Sequence, residues 1–182
     1  MFNLAIKWNL LNRNPTHKIK KFKEKQRERF LEGHEIPKFF KALAEEPNEL
    51  ACDYFLICLL TGARKSKVSE MRQDEINFDK AEWYVQNTKS GDSIKIPLMP
   101  VAIQILKRRI ANNSQNPWIF PGTGRTGHYI EPKRAWQKLL KKAGIKNLRI
   151  HDLRRSLGSW QAATGASLPI IGKTLGHKNP ST

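Results

Sequence analysis

A chain of 182 residues is long enough for one domain with a proper core, or one domain plus a fragment. Its 33 lysines and arginines against 16 acidic residues give a formal net charge of +17, which implies a polyanionic partner, nucleic acid first and an anionic membrane surface second. No apolar run approaches the roughly 18 residues of a membrane span, and Met1–Leu11, broken by Lys7 and asparagines, carries no secretory signal.

Met1–Leu11 places Phe2, Leu4, Ile6, Trp8, Leu10 and Leu11 among polar residues and reads as the end of a helix, closed by Asn12-Arg13-Asn14-Pro15. Too short to form a core, it is either a remnant of an upstream domain or an arm that packs elsewhere. The run Lys18, Lys20, Lys21, Lys23, Lys25, Arg27, Arg29 is poor in apolar residues and reads as a linker, either a solvated tether or one that lies along phosphates. The globular pattern begins at Phe30. Glu35–Glu46 carries Ile36, Phe39, Phe40 and Leu43 on one helical face, stopped by Pro47. Leu50–Leu60 is more continuously apolar, a buried helix ending at Thr61-Gly62. Cys52 and Cys58 lie six apart on it, unable to bridge and without metal-site spacing, and read as small core residues in a reducing, cytosolic setting. Ala63-Arg64-Lys65-Ser66-Lys67-Val68 follows at once. Arg64 is thus either on a rigid mount at the end of a buried helix or in a salt bridge to a surface carboxylate.

The period then changes. Trp83-Tyr84-Val85 and Ile94-Lys95-Ile96 read as strands joined by Asn87-Thr88-Lys89-Ser90-Gly91-Asp92, a β-hairpin with a basic tip. Such a tip is either merely solvated or a finger for a nucleic-acid groove. Val101–Ile110 is an amphipathic helix with Lys107-Arg108-Arg109 near its C-terminus. Gly122-Thr123-Gly124-Arg125-Thr126-Gly127 matches G-x-G-x-x-G, but no βαβ unit surrounds it and no amphipathic helix starts there, so a dinucleotide site is rejected. Ile130–Ala143 is a helix with Trp136, Leu139 and Leu140 inward, Lys133, Arg134, Lys138, Lys141 and Lys142 outward, and Gly144 as cap. In His151-Asp152-Leu153-Arg154-Arg155-Ser156 an imidazole and a guanidinium three residues apart open a further helix, whose buried face is Leu153, Leu157, Trp160 and Ala163. A helix start with these groups suits a phosphate, although a surface helix with ordinary basic residues fits the hexapeptide too. A last helix starts at Ser167, runs through Ile170, Ile171 and Leu175, and ends at Gly176-His177.

Three sparse features, Thr61-Gly62-Ala63-Arg64, His151-x-x-Arg154 and Leu175-Gly176-His177, together with Lys89 on the hairpin, resemble in order the catalytic domain of the tyrosine recombinases, the phage-integrase family. The resemblance covers about residues 30–182. Asn12-Arg13-Asn14-Pro15 is similar to the junction after that family's N-terminal core-binding domain. It implies a mainly α fold with a small antiparallel β-sheet (α+β), of the DNA breaking–rejoining type, forming one side of a clamp on duplex DNA. It also implies a division into residues 1–29, the remnant and basic linker, and 30–182, the catalytic domain. The implied chemistry is metal-free and cofactor-free phosphoryl transfer in which a tyrosine attacks a phosphodiester, leaving a 3′-phosphotyrosine and a free 5′-hydroxyl.

By that resemblance Arg64 and Arg154 bind the non-bridging oxygens, where planar, permanently charged, bidentate donors are needed. His151 is the acid/base residue, His177 a donor to the phosphate and Lys89 the general acid for the leaving oxygen. Lys65, Lys67, Arg155, Lys133 and Arg134 are the further residues expected against DNA. The implied partners are double-stranded DNA and, for the complete protein, a tetrameric synapse, in the cytoplasm of a bacterial or phage system.

Two departures stand out. The family's nucleophilic tyrosine lies beyond the Gly-His motif, and Tyr54, Tyr84 and Tyr129 all lie in other contexts. The chain is therefore expected to be an excised, C-terminally incomplete piece, monomeric, that binds DNA without cleaving it. Lys67 stands where family members commonly carry an acidic residue, which either alters how Arg64 is held or adds a phosphate contact. Two other readings are a non-catalytic DNA-binding relative and a type IB topoisomerase-like enzyme.

Overall fold

Helical period dominates the sequence, and helices dominate the fold. The computed structural model describes residues 1–20, 22, 27–86, 93–130 and 132–175. Among these residues the order is α1 (Phe2–Lys7), α2 (Ile36–Ala44), α3 (Glu49–Thr61), α4 (Lys65–Ser69), a 3₁₀ turn (Gln73–Glu75), β1 (Ile76–Asn77), β2 (Glu82–Val85), β3 (Ile94–Pro97), α5 (Pro100–Ala111), α6 (Lys133–Ala143), α7 (Ile150–Ala163) and α8 (Leu168–Thr174). The class is mainly α with one small antiparallel sheet, as the sequence predicts.

α3 is the axis. The Asn48 side chain caps it by accepting from the Ala51 N–H at 3.0 Å, and Glu49 complements the dipole in its first turn. It is apolar nearly all round, as a helix enclosed by others must be. Tyr54, Phe55, Ile57, Cys58 and Leu59 are each at most 1 % exposed. Both thiols are free and buried, and burial pushes Cys52 up to about 11 and Cys58 to about 12. One charge is buried with them: Asp53 accepts from Arg108 at 2.6 Å and from Arg109, which ties α3 to the C-terminal turn of α5.

α2 and α6 pack together, and α6 reaches α3 through Trp136. Its ring lies 5.9 Å from Phe39 and 4.8 Å from Phe55, both edge-on, and its indole N–H donates to the Leu148 carbonyl at 3.0 Å. The buried stripe of α2 is Phe39, Ala42 and Leu43, so Phe40, expected inside, is 42 % exposed. One residue is a 100° turn, which carries Phe40 to the flank of Phe39. α6 begins at Lys133 rather than at Ile130, because Pro132 fixes its entry.

The sheet runs β1-β2-β3, all antiparallel, with Trp83 opposite Ile96 and Val85 opposite Ile94. Trp83, Val85 and Ile96 face the core, while Tyr84 points outward under Lys95. β1 was not foreseen; two residues hold too little period to announce a strand. The Gly122–Gly127 stretch opens no helix. It closes on itself, Gly122 N–H to Gly127 carbonyl at 2.9 Å, and a Cβ on Gly122 would stand 2.2 Å from the His128 carbonyl oxygen. Close backbone approach, not phosphate binding, explains that glycine.

Candidate active site

α3 ends in the left-handed Gly62 (φ +59°), and the chain then turns straight into α4. Arg64 is the N-cap residue of α4, so two helices fix its backbone. Arg154 comes from the second turn of α7, which packs on α3. Leu175 follows α8 and fills the angle between the other two. A Cβ on Gly62 would lie 2.8 Å from Leu175 and 2.9 Å from Leu157, and one on Gly158 would lie 3.2 Å from Leu175. Both glycines are thus the floor on which Leu175 rests. The strands supply the remaining wall. Arg64, Lys67 and Arg154 line one cleft with Ala63, Val85, Ile94, Ile96 and Leu175.

The electrostatics of that cleft are one-sided. Arg154 donates to the carbonyls of Gly62 and Leu175. These bonds fix the plane of its guanidinium and leave its other N–H groups for a ligand. Burial, and then the charge of Arg64, push its pKa down to about 10. It remains a cation at neutral pH. Among the described residues no carboxylate lies within ion-pair distance of Arg64 or Arg154, so the salt-bridge reading of Arg64 is not met. Glu70, the acidic group closest in sequence to Arg64, holds Lys67 at 3.2 Å. Two uncompensated guanidiniums beside an apolar wall call for an anion, and planar bidentate donors suit the oxygens of a phosphate.

His151 occupies the first turn of α7 and is exposed. Desolvation of the ring, and then the charges of Arg154, Arg155 and Arg64, hold it below the usual imidazole value, while Asp152 pulls the other way. It is therefore a neutral imidazole at pH 7, able to accept a proton. The next residue faces away. Asp152 is 1 % exposed and accepts from the Arg149 N–H at 2.8 Å, closing the helix start, and from Arg27 and Arg155. Burial alone would raise its carboxyl, but Arg27, the Arg149 N–H and the Arg155 charge outweigh it and hold it below the carboxylate norm. Of the expected DNA-facing residues, Arg155 is thus paired with Asp152 at 3.1 Å, Lys65 is exposed at the start of α4, and Lys133 and Arg134 open α6 outside the cleft lining. Lys89 and His177 lie outside the described residues. The strands leading to Lys89 do reach the cleft, through Val85 and Ile94.

No tyrosine lines the cleft among the described residues. Tyr54 is buried in α3, where its hydroxyl donates to the Lys65 carbonyl at 2.8 Å and burial raises its pKa far above the phenol norm. It braces α4 rather than attacking anything. The described residues hold no cluster of three or more His, Cys, Asp or Glu side chains suited to a metal ion. No described helix is long and apolar enough to cross a membrane.

Sequence reasoning missed the far side of α7. Arg27 and Arg29, placed in the basic linker, bond to Asp152 and to Glu35 at 2.8 and 2.5 Å. The available signal was Asp152 itself, an acid at the third position of a helix whose N-terminal N–H groups need an acceptor.

A mainly helical fold with two arginines in one cleft, and a histidine on the first turn of the helix that carries one of them, defines a class, and direct comparison agrees. The chain belongs to the phage integrase family of tyrosine recombinases, whose sequence pattern matches residues 29–182. It is similar to the prophage integrase IntF of Escherichia coli K12, at 28% identity over 81% of this chain and 32% of the relative. Against the integrase of Salmonella phage P22 the identity is 29%, over 90% of this chain and 44% of the relative. The chain thus spans less than half the length of these relatives. Its fold matches the Tn1549 transposon integrase, solved in complex with a circular intermediate DNA, with a TM-score of 0.75 at 18% identity over 99% of this chain and 68% of the other.

Proposed function

We propose that residues 30–182 are the catalytic portion of a site-specific DNA recombinase acting on duplex DNA through a 3′-phosphotyrosine. The observation that carries this reading is the pair Arg64 and Arg154, held in one cleft without a carboxylate partner among the described residues. Their guanidiniums bind the non-bridging oxygens of the scissile phosphate, and Lys67 adds a third cation to the same cleft. The tyrosine oxygen attacks phosphorus while the bond to the 5′ oxygen breaks. Neutral His151 takes the proton from the nucleophile side, Lys89 delivers one to the leaving 5′ oxygen, and His177 donates a hydrogen bond to the phosphate. Reversal by a 5′-hydroxyl, from the same or another strand, rejoins DNA.

None of Tyr54, Tyr84 and Tyr129 is in place to be the nucleophile, so residues 1–182 bind DNA without cleaving it. The complete protein works in the cytoplasm as a tetrameric synapse, and the 182-residue chain is a monomer. Lys65, Lys67 and Arg155 lie along the duplex, with Lys133 and Arg134 further out.

The test is a covalent-trapping assay on the complete gene product with a nicked duplex. Arg154→Ala should lower adduct formation by about 10²–10³ while retaining most duplex binding. Equal loss of binding and trapping, with an unchanged melting temperature, would sink the catalytic assignment of Arg154. A wild-type protein that binds but never forms an adduct would make it a non-catalytic DNA-binding relative.

A further inference from the structure

The segment that reads as a charged tether is bonded along two turns of the helix that carries His151 and Arg154. Arg27 donates from Nε to both oxygens of Asp152, at 3.1 and 3.0 Å, and from Nη2 to Oδ2 at 2.8 Å. It also donates to the side chain of Asn147 at 3.1 Å and to its carbonyl. Four residues further on, Leu31 is fully buried and its N–H donates to Ser156 Oγ at 2.8 Å. The same Ser156 hydroxyl donates back to the Asp152 carbonyl at 2.9 Å. The Trp160 indole N–H reaches the Leu31 carbonyl at 3.4 Å. These contacts join residues about 125 positions apart and run from the first turn of α7 to its third.

We infer that Arg27–Leu31 is a strap that sets the position of α7, with Arg27 a positioning residue for His151 and Arg154 that acts through Asp152. The chemistry of Asp152 makes the link strong. Its carboxylate is 1 % exposed and also closes the helix start through the Arg149 N–H. Without Arg27 that buried charge keeps, among the described residues, Arg155 as its counter-charge and is drawn toward water. The first turn of α7 must then move with it, and His151 is the preceding residue on that turn. A pull on the chain before Arg27 is therefore transmitted to the phosphate cleft on the opposite side of the helix. Engagement of the N-terminal segment by DNA thus sets the geometry of Arg154. The consequence for DNA rests on the recombinase reading; the strap itself does not.

The test compares the 182-residue chain with Arg27→Ala and Arg27→Lys, using amide hydrogen exchange and binding to a 20-base-pair duplex across a salt series. In Arg27→Ala, amides of residues 152–156 should lose at least tenfold protection while those of α3 keep theirs. Duplex affinity should fall severalfold with the salt slope unchanged, since an arginine already bonded to Asp152 releases no counterion from DNA. Arg27→Lys, which keeps the charge with fewer donors, should recover part of both. Unchanged protection in α7 together with a salt slope smaller by about one would make Arg27 an ordinary phosphate contact and overturn the proposal. Loss of protection throughout the chain in Arg27→Ala, without selective loss at α7 in Arg27→Lys, would also overturn it by reducing the bond to a general structural one. If the wild type binds no duplex, the recombinase reading fails, and the exchange data still decide the strap.

Discussion

His151 and Asp152 are adjacent in sequence and opposite in duty. One is exposed among cations and held neutral, the other buried and held charged. Because the folded state lowers the His151 pKa, the unfolded chain takes up the proton first as pH falls through about 6.5. This group's contribution is fully present above that value and diminishes as pH falls toward its folded value. An anion in the cleft reverses the preference by pairing with the imidazolium. The His151 titration midpoint, followed by NMR, should therefore lie below about 6.5 in the free protein and rise when inorganic phosphate or duplex is added. A midpoint that does not move with saturating duplex would place His151 away from the bound phosphate.

The elements that place the cleft meet at glycines. Gly62 sits at φ +59° with Leu175 and Leu157 crowding the place a Cβ would take. Gly62→Ala would add a left-handed penalty of about 1–2 kcal/mol to a steric overlap with both leucines. The melting temperature should drop by roughly 2–4 °C for each kcal/mol lost, and phosphate affinity should fall with it because Arg154 is anchored on the Gly62 carbonyl. An unchanged melting temperature would show that the α3–α8 junction yields freely.

Legibility in the sequence follows the same lines. Gly62 and Gly144 announced the ends of α3 and α6 because a left-handed cap favours glycine, and Trp83 and Ile96 announced their strands by alternation. Arg64 and Arg154 were singled out only through the resemblance to the tyrosine recombinases, since their local sequence left a salt bridge or an ordinary surface helix equally open. What remained hidden were partnerships across long separations. Arg27 reads as one more charge in a basic run, and nothing local distinguishes it from Lys18 or Lys20, which are exposed. Ala163, expected in the buried face of α7, is exposed because the helix has by then outrun the core it packs on. Phe40 was misplaced because its own hydrophobicity says nothing of which edge of the stripe faces α6.

At the scale of the whole molecule, a net charge of +17 is too large to be absorbed internally. Several cations are nonetheless spent on structure: Arg27 and Arg155 on Asp152, Arg29 on Glu35, Arg108 and Arg109 on Asp53. The rest should give duplex binding a log–log salt slope of several units, with each phosphate contact adding about 0.9. Affinity that is flat between low and moderate salt would rule out a DNA partner.

Cys58 offers a timepiece that needs no engineering. Its thiol is shut inside α3, and only a thiolate reacts with a disulfide reagent, so a side chain held as the acid up to about pH 12 is silent until the helix bundle opens. The rate at which the wild-type protein consumes such a reagent therefore counts openings of the molecule. Since α3 ends at the cleft, a bound duplex should slow that count, turning an inert pair of sulfurs into a readout of occupancy at the other end of the helix. Consumption at the same rate with and without saturating duplex would mean that the bundle breathes independently of its ligand.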